Sequence, residues 1–155
     1  MHIDDIGMNG EGIAHENNKA VFVPFYLPGE EIVEGELIKR SEYRIEPICK
    51  YYKECGGCDL QHLEYNQSLE FKTQKIKNIL KKFKIDCEVL SCYPSEKIFY
   101  YRNKITLKCE NGILGFLRYN SHDIIQINEC KIASKEINLV VNALTKINKN
   151  NFKEV

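Results

Sequence analysis

Three of the seven cysteines lie within ten residues of one another. Cys49, Cys55 and Cys58 form the pattern C-x5-C-G-G-C, in which Gly56 and Gly57 allow the backbone to wrap closely around one centre. Thiolates bind structural zinc and iron–sulfur clusters, and both kinds of centre are completed by four ligands. The sequence therefore predicts a metal centre with three ligands on this loop and a fourth from elsewhere in the chain.

The spacing of the other cysteines leaves the fourth ligand open among Cys87, Cys92, Cys109 and Cys130. The type of metal is also open. Zinc is the ordinary four-cysteine centre of cytosolic proteins, but its sites usually pair two C-x2-C knuckles, and this chain has one. An odd number of cysteines in a reducing compartment indicates metal ligands and buried thiols more readily than disulfides.

The size and composition of the chain limit what it can be. Its 155 residues correspond to one medium domain or two small ones, which excludes a large enzyme. The apolar content of 43% and the absence of low-complexity tracts predict a globular protein. The apolar runs are too short to span a bilayer, and Asp4 and Asp5 are incompatible with a signal peptide. We therefore expect a cytoplasmic protein without a membrane partner.

The formal charge of zero conceals a division of the chain into two parts. Residues 1–46 carry a formal charge of −6 and residues 47–155 a charge of +6. Such an asymmetry is typical of proteins whose basic part contacts nucleic acid, although solvated lysine surfaces produce it as well. The two parts are therefore predicted to be separate modules.

The acidic part has the pattern of a small β-structure. A β-branched and aromatic run covers residues 20–25, Leu27-Pro28-Gly29-Glu30 is typical of a type II turn, and a strand is predicted for 32–38. About 46 residues bury too little surface to be stable alone. We therefore expect a small β-barrel that depends on the residues following it.

The basic part is predicted to contain a helix over residues 65–84. Its apolar positions recur at steps of four and three, which makes one buried stripe. The members of the stripe are Leu69, Thr73, Ile76, Leu80 and Phe83. Lysines cover the rest of the circumference, and solvent exposure explains them better than direct phosphate binding does.

Alternating residues after this helix predict an antiparallel sheet. A half-buried strand with a basic outer face is expected over 99–109, and Asn111-Gly112 favours a two-residue turn into a strand over 113–119. A third strand is expected at 123–127. A final helix begins at Ser134, and its inward face consists of Ile137, Val140, Val141, Leu144 and Ile147. The predicted fold class is α+β.

Several motifs together resemble the RNA (uracil-5-)-methyltransferase family. The cysteine loop continues as Cys49-Lys-Tyr-Tyr-Lys-Glu-Cys55-Gly-Gly-Cys58-Asp-Leu-Gln-His62, which is similar to the iron–sulfur segment of that family. Residues 10–14, 21–24 and 27–30 resemble its N-terminal TRAM domain. Tyr101-Arg-Asn-Lys104, Gly115-Phe116, Ser121-His122, Cys130 and Asn138 resemble its central RNA-binding domain. The resemblance covers essentially the whole chain.

The resemblance implies a cofactor and a domain arrangement. It implies a 4Fe-4S cluster held by Cys49, Cys55, Cys58 and Cys130, with the other three cysteines as ordinary thiols. It also implies an OB-like, TRAM-like β segment over 1–46, shortened between Ile38 and Tyr43 so that its barrel is open. An α+β domain with an antiparallel sheet and two helices, which carries the cluster and the RNA-binding surface, would follow over 47–155.

RNA, ribosomal RNA in the first place, is the partner that the resemblance implies. The expected contacts are basic side chains for phosphates and an exposed aromatic ring for stacking on an unpaired base. The candidate residues are Arg102, Lys104, Lys108, Phe116, Arg118 and His122. With a two-residue turn at Asn111-Gly112, Lys104 and Arg118 face opposite sides of the hairpin, so only a bulge would bring all candidates to one surface.

The parts that would carry out methylation are missing from the sequence. The family needs an S-adenosylmethionine-binding domain, a cysteine nucleophile and a general base, and the chain contains no motif for any of them. We expect the catalytic domain to follow Val155 or to be encoded separately, and this chain to be inactive alone. The alternatives are a stand-alone iron–sulfur or zinc protein with a redox or metal-sensing role, or a truncated gene product.

Overall fold

A computed structural model describes residues 1–146 of the chain. Residues 147–155 lie outside the described part, and so does Ile147 of the predicted helix face. The chain forms two compact units. Unit 1 contains Met1–Glu46 and Asp59–Pro94, and unit 2 contains Pro47–Cys58 and the residues from Ser95 onward. No helix within the described residues is both long and apolar enough to cross a membrane.

Unit 1 begins with a three-stranded antiparallel sheet and a separate hairpin. Strands β1 (Asp5–Ile6), β2 (Gly12–Glu16) and β3 (Lys19–Val23) pair in that order, and β4 (Glu31–Val33) pairs with β5 (Glu36–Lys39). An antiparallel bridge between His2 and Glu31 links the N-terminus to this hairpin. The core beneath is formed by Ile3, Ala14 and Ile32, with Val23 and Tyr26 packed against it.

The prediction of one continuous strand over 32–38 is wrong. Glu34 and Gly35 both adopt positive φ angles, of 52° and 84°, and the chain reverses at these two residues. Such a turn matches the twist of a two-stranded ribbon, so Val33 pairs with Glu36. Gly35 was the available signal in the sequence, although glutamate is an unusual residue for the other turn position.

Residues 59–94 belong to unit 1 because backbone hydrogen bonds join them to residues 43–45. The Ile45 N–H donates to the His62 carbonyl at 2.9 Å, and the Glu64 N–H donates to the Tyr43 carbonyl at 2.9 Å. The chain therefore leaves unit 1 after Glu46, forms the cysteine loop and returns. This division differs from the predicted one, in which all residues from 47 onward form a single second domain.

Helix α1 spans Tyr65–Lys82 in unit 1 and buries less of its surface than predicted. Ser68 and Thr73 are buried, and the Thr73 hydroxyl accepts a hydrogen bond from the Cys92 N–H at 2.9 Å. Ile76 and Phe83 are 48% and 67% exposed, so the expected buried stripe is wrong in its second half. The buried positions lie in the first nine residues of α1, which is where the unit covers the helix.

Unit 2 contains a three-stranded antiparallel sheet and a helix. Strands β6 (Lys108–Glu110), β7 (Ile113–Leu117) and β8 (Ile124–Ile125) pair in that order, and helix α2 covers Lys135–Leu144. Asn111 and Gly112 adopt the positive φ angles of 49° and 75° that their turn requires. The core is formed by Leu107, Cys109, Leu114 and Val141.

The strand predicted over 99–109 is confined to its last residues. Tyr100 has a φ of 55°, and its N–H donates to the Lys131 carbonyl at 2.9 Å. The backbone of Arg102 continues this pairing, with its N–H donating to Ile132 and its carbonyl accepting from Ser134, both at 2.8 Å. Because this segment pairs with residues 131–134, it does not extend the ladder between β6 and β7.

Helix α2 confirms most of the predicted inward face. Val141 is buried, and Ile137 and Leu144 pack against the same core. Val140 is 57% exposed, which corrects its assignment, because the core packs along Ile137, Val141 and Leu144 and Val140 lies about 100° from Val141 around the helix. The Ser134 hydroxyl caps the helix by accepting from the Ile137 N–H at 3.2 Å, as predicted.

Candidate functional site

The cysteine loop of unit 2 is attached to the end of β7. Cys55 forms an antiparallel bridge with Arg118, the Gly56 N–H donates to the Leu117 carbonyl at 3.0 Å, and the Tyr119 N–H donates to the Glu54 carbonyl at 2.8 Å. The guanidinium of Arg118 also donates to the Glu54 carboxylate at 3.0 Å. The backbone around Cys55 is therefore held by the sheet.

The loop itself is compact, and its two glycines have different surroundings. The Cys55 N–H donates to the Tyr51 carbonyl at 2.8 Å, which closes a tight turn within the loop. A Cβ atom on Gly56 would lie 3.3 Å from the Arg118 carbonyl oxygen, tighter than most such contacts. A Cβ on Gly57 would lie 3.5 Å from the Cys55 sulfur. Gly56 thus permits the close approach to β7, and Gly57 leaves space beside the thiol.

The segment that carries Cys130 is held by the side chain of Asn138 on α2. The Cys130 N–H donates to Asn138 Oδ1 at 2.7 Å, and Asn138 Nδ2 donates to the Cys130 carbonyl at 3.0 Å. The same segment also meets the cysteine loop, because the Asn128 N–H donates to the Tyr51 hydroxyl at 3.2 Å. Unit 2 therefore brings the loop and the segment before α2 together across about 70 residues of sequence.

The pKa of the Cys55 thiol is influenced by two other cysteines of the candidate site. Burial raises the pKa of the Cys55 thiol, a hydrogen bond with the Gly57 backbone lowers it, and the nearby Cys130 and Cys49 thiols raise it further. In the absence of a metal these interactions favour the protonated thiol. A metal would therefore release a proton from Cys55 when it binds.

The sulfur atoms do not form a finished metal site in this structure. Within residues 1–146, no group of three or more His, Cys, Asp or Glu side chains has an arrangement that could hold a metal ion. The donor set nevertheless fits a thiolate-bound metal, because Cys49, Cys55, Cys58 and Cys130 all belong to unit 2 and are partly buried. Ligation would require their side chains to converge.

The three remaining cysteines have different environments. Cys109 is buried in the hydrophobic core of unit 2, where Leu107 and Leu114 surround it. Cys87 is exposed and Cys92 is half-buried, and both belong to unit 1. These placements agree with ordinary thiols at all three positions.

Known proteins similar to this chain are RNA methyltransferases. The chain is 34% identical to an uncharacterized RNA methyltransferase of Clostridium acetobutylicum, and the match covers 91% of this chain and 35% of the relative. It is also 34% identical to the 23S rRNA (uracil(1939)-C(5))-methyltransferase RlmD of Vibrio campbellii, with 91% of this chain and 37% of the relative covered. The solved structure of the Pyrococcus abyssi tRNA (uracil-54, C5)-methyltransferase in complex with S-adenosyl-L-homocysteine has a TM-score of 0.65 and 31% identity over 94% of this chain.

The chain is thus similar to RNA methyltransferases, among them uracil-C5 methyltransferases of rRNA and tRNA. It spans about a third of the length of the relatives that it matches, in their N-terminal part. No protein-family model matches it.

The residues expected to contact RNA do not share one strand face. Arg102 and Lys104 are exposed but lie on the irregular segment before β6, whereas Lys108 is half-buried within β6. His122 is exposed in the loop between β7 and β8. Arg118 is 44% exposed and paired with Glu54. The β6–β7 ladder ends at Lys108 and Gly115, so the predicted register does not extend to Lys104 and Arg118.

Phe116 is not the exposed aromatic residue that the family resemblance suggested. It is half-buried and packs against the core of unit 2, because it lies on β7 opposite Ile125. Tyr101 is the aromatic side chain beside Arg102, and it is 52% exposed. The alternation assumed for residues 99–109 placed Tyr101 on the inward face, and the break at Tyr100 explains why it points to solvent.

A polar cluster beside Cys130 was missed by the sequence analysis. The Tyr100 hydroxyl donates to Glu129 Oε1 at 2.7 Å, and Lys131 Nζ donates to Glu129 Oε2 at 2.7 Å. The hydrogen bonds from Lys131 and Tyr100 lower the pKa of Glu129. Tyr100 and Glu129 are 29 residues apart, and no local pattern predicts their contact.

Proposed function

We propose that this chain is the RNA-recognition and iron–sulfur portion of a 23S rRNA (uracil-5-)-methyltransferase-like protein. The observation that carries the proposal is the relation to named uracil-C5 methyltransferases over more than nine-tenths of the chain, together with a shared fold. In such a protein the chain binds RNA, and S-adenosylmethionine is bound by the part of the relatives that the match does not cover. The chain alone is then inactive in methyl transfer.

Residues 1–46, the first part of unit 1, are proposed to be TRAM-like. The β1–β3 sheet and the β4–β5 hairpin are the five short antiparallel strands from which a small OB-like barrel is built. The pairings among the described residues leave β3 and β5 unjoined, which is consistent with an open barrel. The acidic surface of this segment makes it less suitable than unit 2 for phosphate contacts.

A 4Fe-4S cluster held by Cys49, Cys55, Cys58 and Cys130 is the proposed cofactor. When bound, it would cross-link the cysteine loop to the segment before α2, a structural role that requires no change of oxidation state. The bridge to Arg118 would hold the backbone of Cys55 beside the cluster, and the hydrogen bonds to Asn138 would hold that of Cys130. The effect of the Cys130 and Cys49 thiols on the pKa of Cys55 supports this ligand set.

The RNA surface is proposed to centre on Arg102 and Lys104. Both side chains are exposed, Tyr101 lies beside them as a stacking surface, and the backbone under Arg102 is fixed by its pairing with residues 132 and 134. Lys108, Arg118 and His122 would contribute charge at the margins. Phosphate contacts of this kind supply affinity that falls steeply with salt.

Titration of the full chain with labelled 23S rRNA fragments that contain candidate uridines tests the proposal. We expect salt-sensitive binding, and the double substitution Arg102→Ala with Lys104→Ala should weaken it at least about tenfold and reduce the salt slope by about two. Lys19→Ala, at an exposed lysine of β3, is the matched control. Absence of RNA binding by a protein that carries a readily oxidised and reduced cluster would instead support a redox or sensing protein.

A second assay tests the proposal that the chain alone does not transfer methyl groups to RNA. Incubation of the chain with S-adenosylmethionine carrying a labelled methyl group and with rRNA should give no transfer to RNA. Measurable transfer would contradict the proposal that this portion is inactive alone.

A further inference from the structure

Both polar atoms of the Asn138 side chain form hydrogen bonds with the segment that carries Cys130. Its Oδ1 accepts from the Cys130 N–H at 2.7 Å, and its Nδ2 donates to the Cys130 carbonyl at 3.0 Å. Nδ2 also lies 3.1 Å from the Ala133 carbonyl and 3.0 Å from the Ser134 carbonyl. Asn138 is 7% exposed, so water does not replace these bonds. Both peptide groups that flank the Cα of Cys130 are therefore tied to one side chain.

This arrangement requires an amide at position 138. An aspartate would still accept from the Cys130 N–H, but it would turn a second carboxylate oxygen toward three carbonyl oxygens in a buried place. A leucine would leave the Cys130 N–H without its acceptor in a buried place, although the Cys130 and Ser134 carbonyls would still accept from the backbone N–H groups of Ala133 and residue 138. A side chain that only filled space on α2 would not need donors and an acceptor together.

The two ends of the proposed metal site are fixed to elements that share one core. Cys55 is held by its bridge to Arg118 at the end of β7, and Cys130 is held by Asn138 on α2. Leu114 of β7 and Val141 of α2 belong to the same hydrophobic cluster of unit 2. The backbone positions of the two cysteines are thus set by elements that pack on the same core.

We propose that Asn138 is the positioning residue for the fourth cluster ligand: its amide holds the backbone of Cys130 so that the thiol faces the cysteine loop. The inference rests on the proposed function, in which Cys130 binds the cluster. Asn138 itself does not touch the metal.

Anaerobic reconstitution of the full chain with Fe²⁺ and sulfide tests the proposal. Wild type and Asn142→Asp, at an exposed asparagine of the same helix, should take up about four iron atoms per chain. After the reconstituted proteins are oxidised with ferricyanide, Asn138→Asp should release about one Fe²⁺, as Cys130→Ser does, and show the electron paramagnetic resonance signal of the oxidised three-iron cluster, whereas wild type should keep about four irons. A merely destabilised protein would lose whole clusters and would not accumulate the three-iron form.

Thiol alkylation of the cluster-free chain provides a readout that does not depend on iron. Asn138→Asp should raise the maleimide reaction rate of Cys130 by roughly tenfold, the effect of losing one ordinary buried hydrogen bond. Cys109, which is buried in the core of the same unit, should keep its wild-type rate. Mass spectrometry of peptides separates the two rates in one sample.

The outcomes separate this inference from the function on which it rests. Retention of all four irons by Asn138→Asp after the oxidation, as in wild type, overturns the positioning role and leaves the cluster in place. Equal acceleration of Cys130 and Cys109 also overturns it, because Asn138 would then act on the stability of the whole unit. Failure of wild type to take up iron and sulfide overturns the proposed cluster and, with it, the role of Asn138 as ligand support.

Discussion

The guanidinium of Arg44 forms a buried, two-point ion pair with the carboxylate of Glu30 in unit 1. Arg44 Nη2 donates to Glu30 Oε2 at 2.7 Å, Nε donates to Oε1, and the two side chains are 6% and 0% exposed. The same carboxylate accepts from the backbone N–H groups of Leu27 at 2.9 Å and Ser41 at 3.2 Å. Glu30 therefore joins the turn after β3 to the chain that leads out of unit 1.

Replacing Glu30 with glutamine should destabilise the protein strongly. Glutamine has a similar shape, but it leaves the Arg44 charge buried without a counter-charge, and losing one partner of such a pair costs about 3–5 kcal/mol. The free energy of unfolding from urea titration measures the effect. Glu42→Gln, at an exposed position nearby, is the control and should change stability by no more than about 0.5 kcal/mol. Equal effects of the two substitutions would show that the pair is not important for stability.

The stability contributed by Glu30 should depend on pH. Burial by itself raises the pKa of this carboxyl, but the hydrogen bonds from Arg44, Leu27 and Ser41 outweigh burial and hold the pKa below its ordinary value. A carboxyl with a lowered folded-state pKa contributes stability that is fully present above its unfolded-state pKa of about 4.3 and is lost as pH falls through the folded-state value. The difference in unfolding free energy between wild type and Glu30→Gln should therefore be constant near neutrality and shrink below about pH 4. A difference that grows on acidification would contradict this assignment.

The turns show how much of the fold the sequence predicts. Asn111-Gly112 predicts its hairpin because both residue types tolerate the positive φ angles that the turn needs. Glu34-Gly35 makes a turn of the same kind, with φ angles of 52° and 84°, but a glutamate at its first position hides the signal. Local propensity identifies a turn only where both residues favour it, and tertiary packing decides the others.

The sequence identifies the cysteines of the candidate site but not the contacts that hold their backbone. Cys55 and Cys58 stand out by spacing, and the family resemblance selects Cys130. The bonds of Asn138 to Cys130 and the hydrogen bond between Tyr51 and Asn128 connect residues that no periodicity relates. Likewise, the positive φ of Tyr100 ends a strand that alternation alone would have continued. Such contacts depend on which segments the fold brings together.

Substituting Gly115 with alanine should disrupt the sheet of unit 2. A Cβ at this position would lie 2.0 Å from the Ile125 carbonyl oxygen, so β7 and β8 would have to separate. Overpacking of this kind costs about 1–3 kcal/mol, measured by urea unfolding of the cluster-free chain. Gly57→Ala, whose new carbon would contact only the Cys55 sulfur at 3.5 Å, is the control and should cost much less. Equal stability of both variants would contradict the close approach of the strands.

Replacing Glu54 with glutamine should increase RNA binding without a large change in stability. The Arg118–Glu54 pair has side chains that are 44% and 60% exposed, and such pairs contribute about 0–1 kcal/mol. Removing the carboxylate releases the Arg118 charge for phosphate, so the affinity for rRNA should rise a few-fold and the salt dependence should become steeper. Glu96→Gln, an equal change of charge at an exposed position of unit 2, is the control. A rise of the same size in both variants would indicate a general effect of charge and exclude a specific role for Arg118.

Replacing Cys130 with serine should impair metal loading far more than replacing Cys87 does. Both cysteines lie outside the C-x5-C-G-G-C loop, but the Cys130 thiol is close enough to raise the pKa of Cys55, whereas Cys87 is exposed in unit 1. Iron and zinc should be measured in protein as purified, with absorption spectra taken before and after chelation. We expect wild type and Cys87→Ser to be brown with about four iron atoms per chain, and the colour to disappear on chelation. A colourless wild-type protein with a single zinc ion would show that the same cysteines bind zinc and not an iron–sulfur cluster. Equal loss of metal in the two variants would exclude Cys130 as the selective fourth ligand.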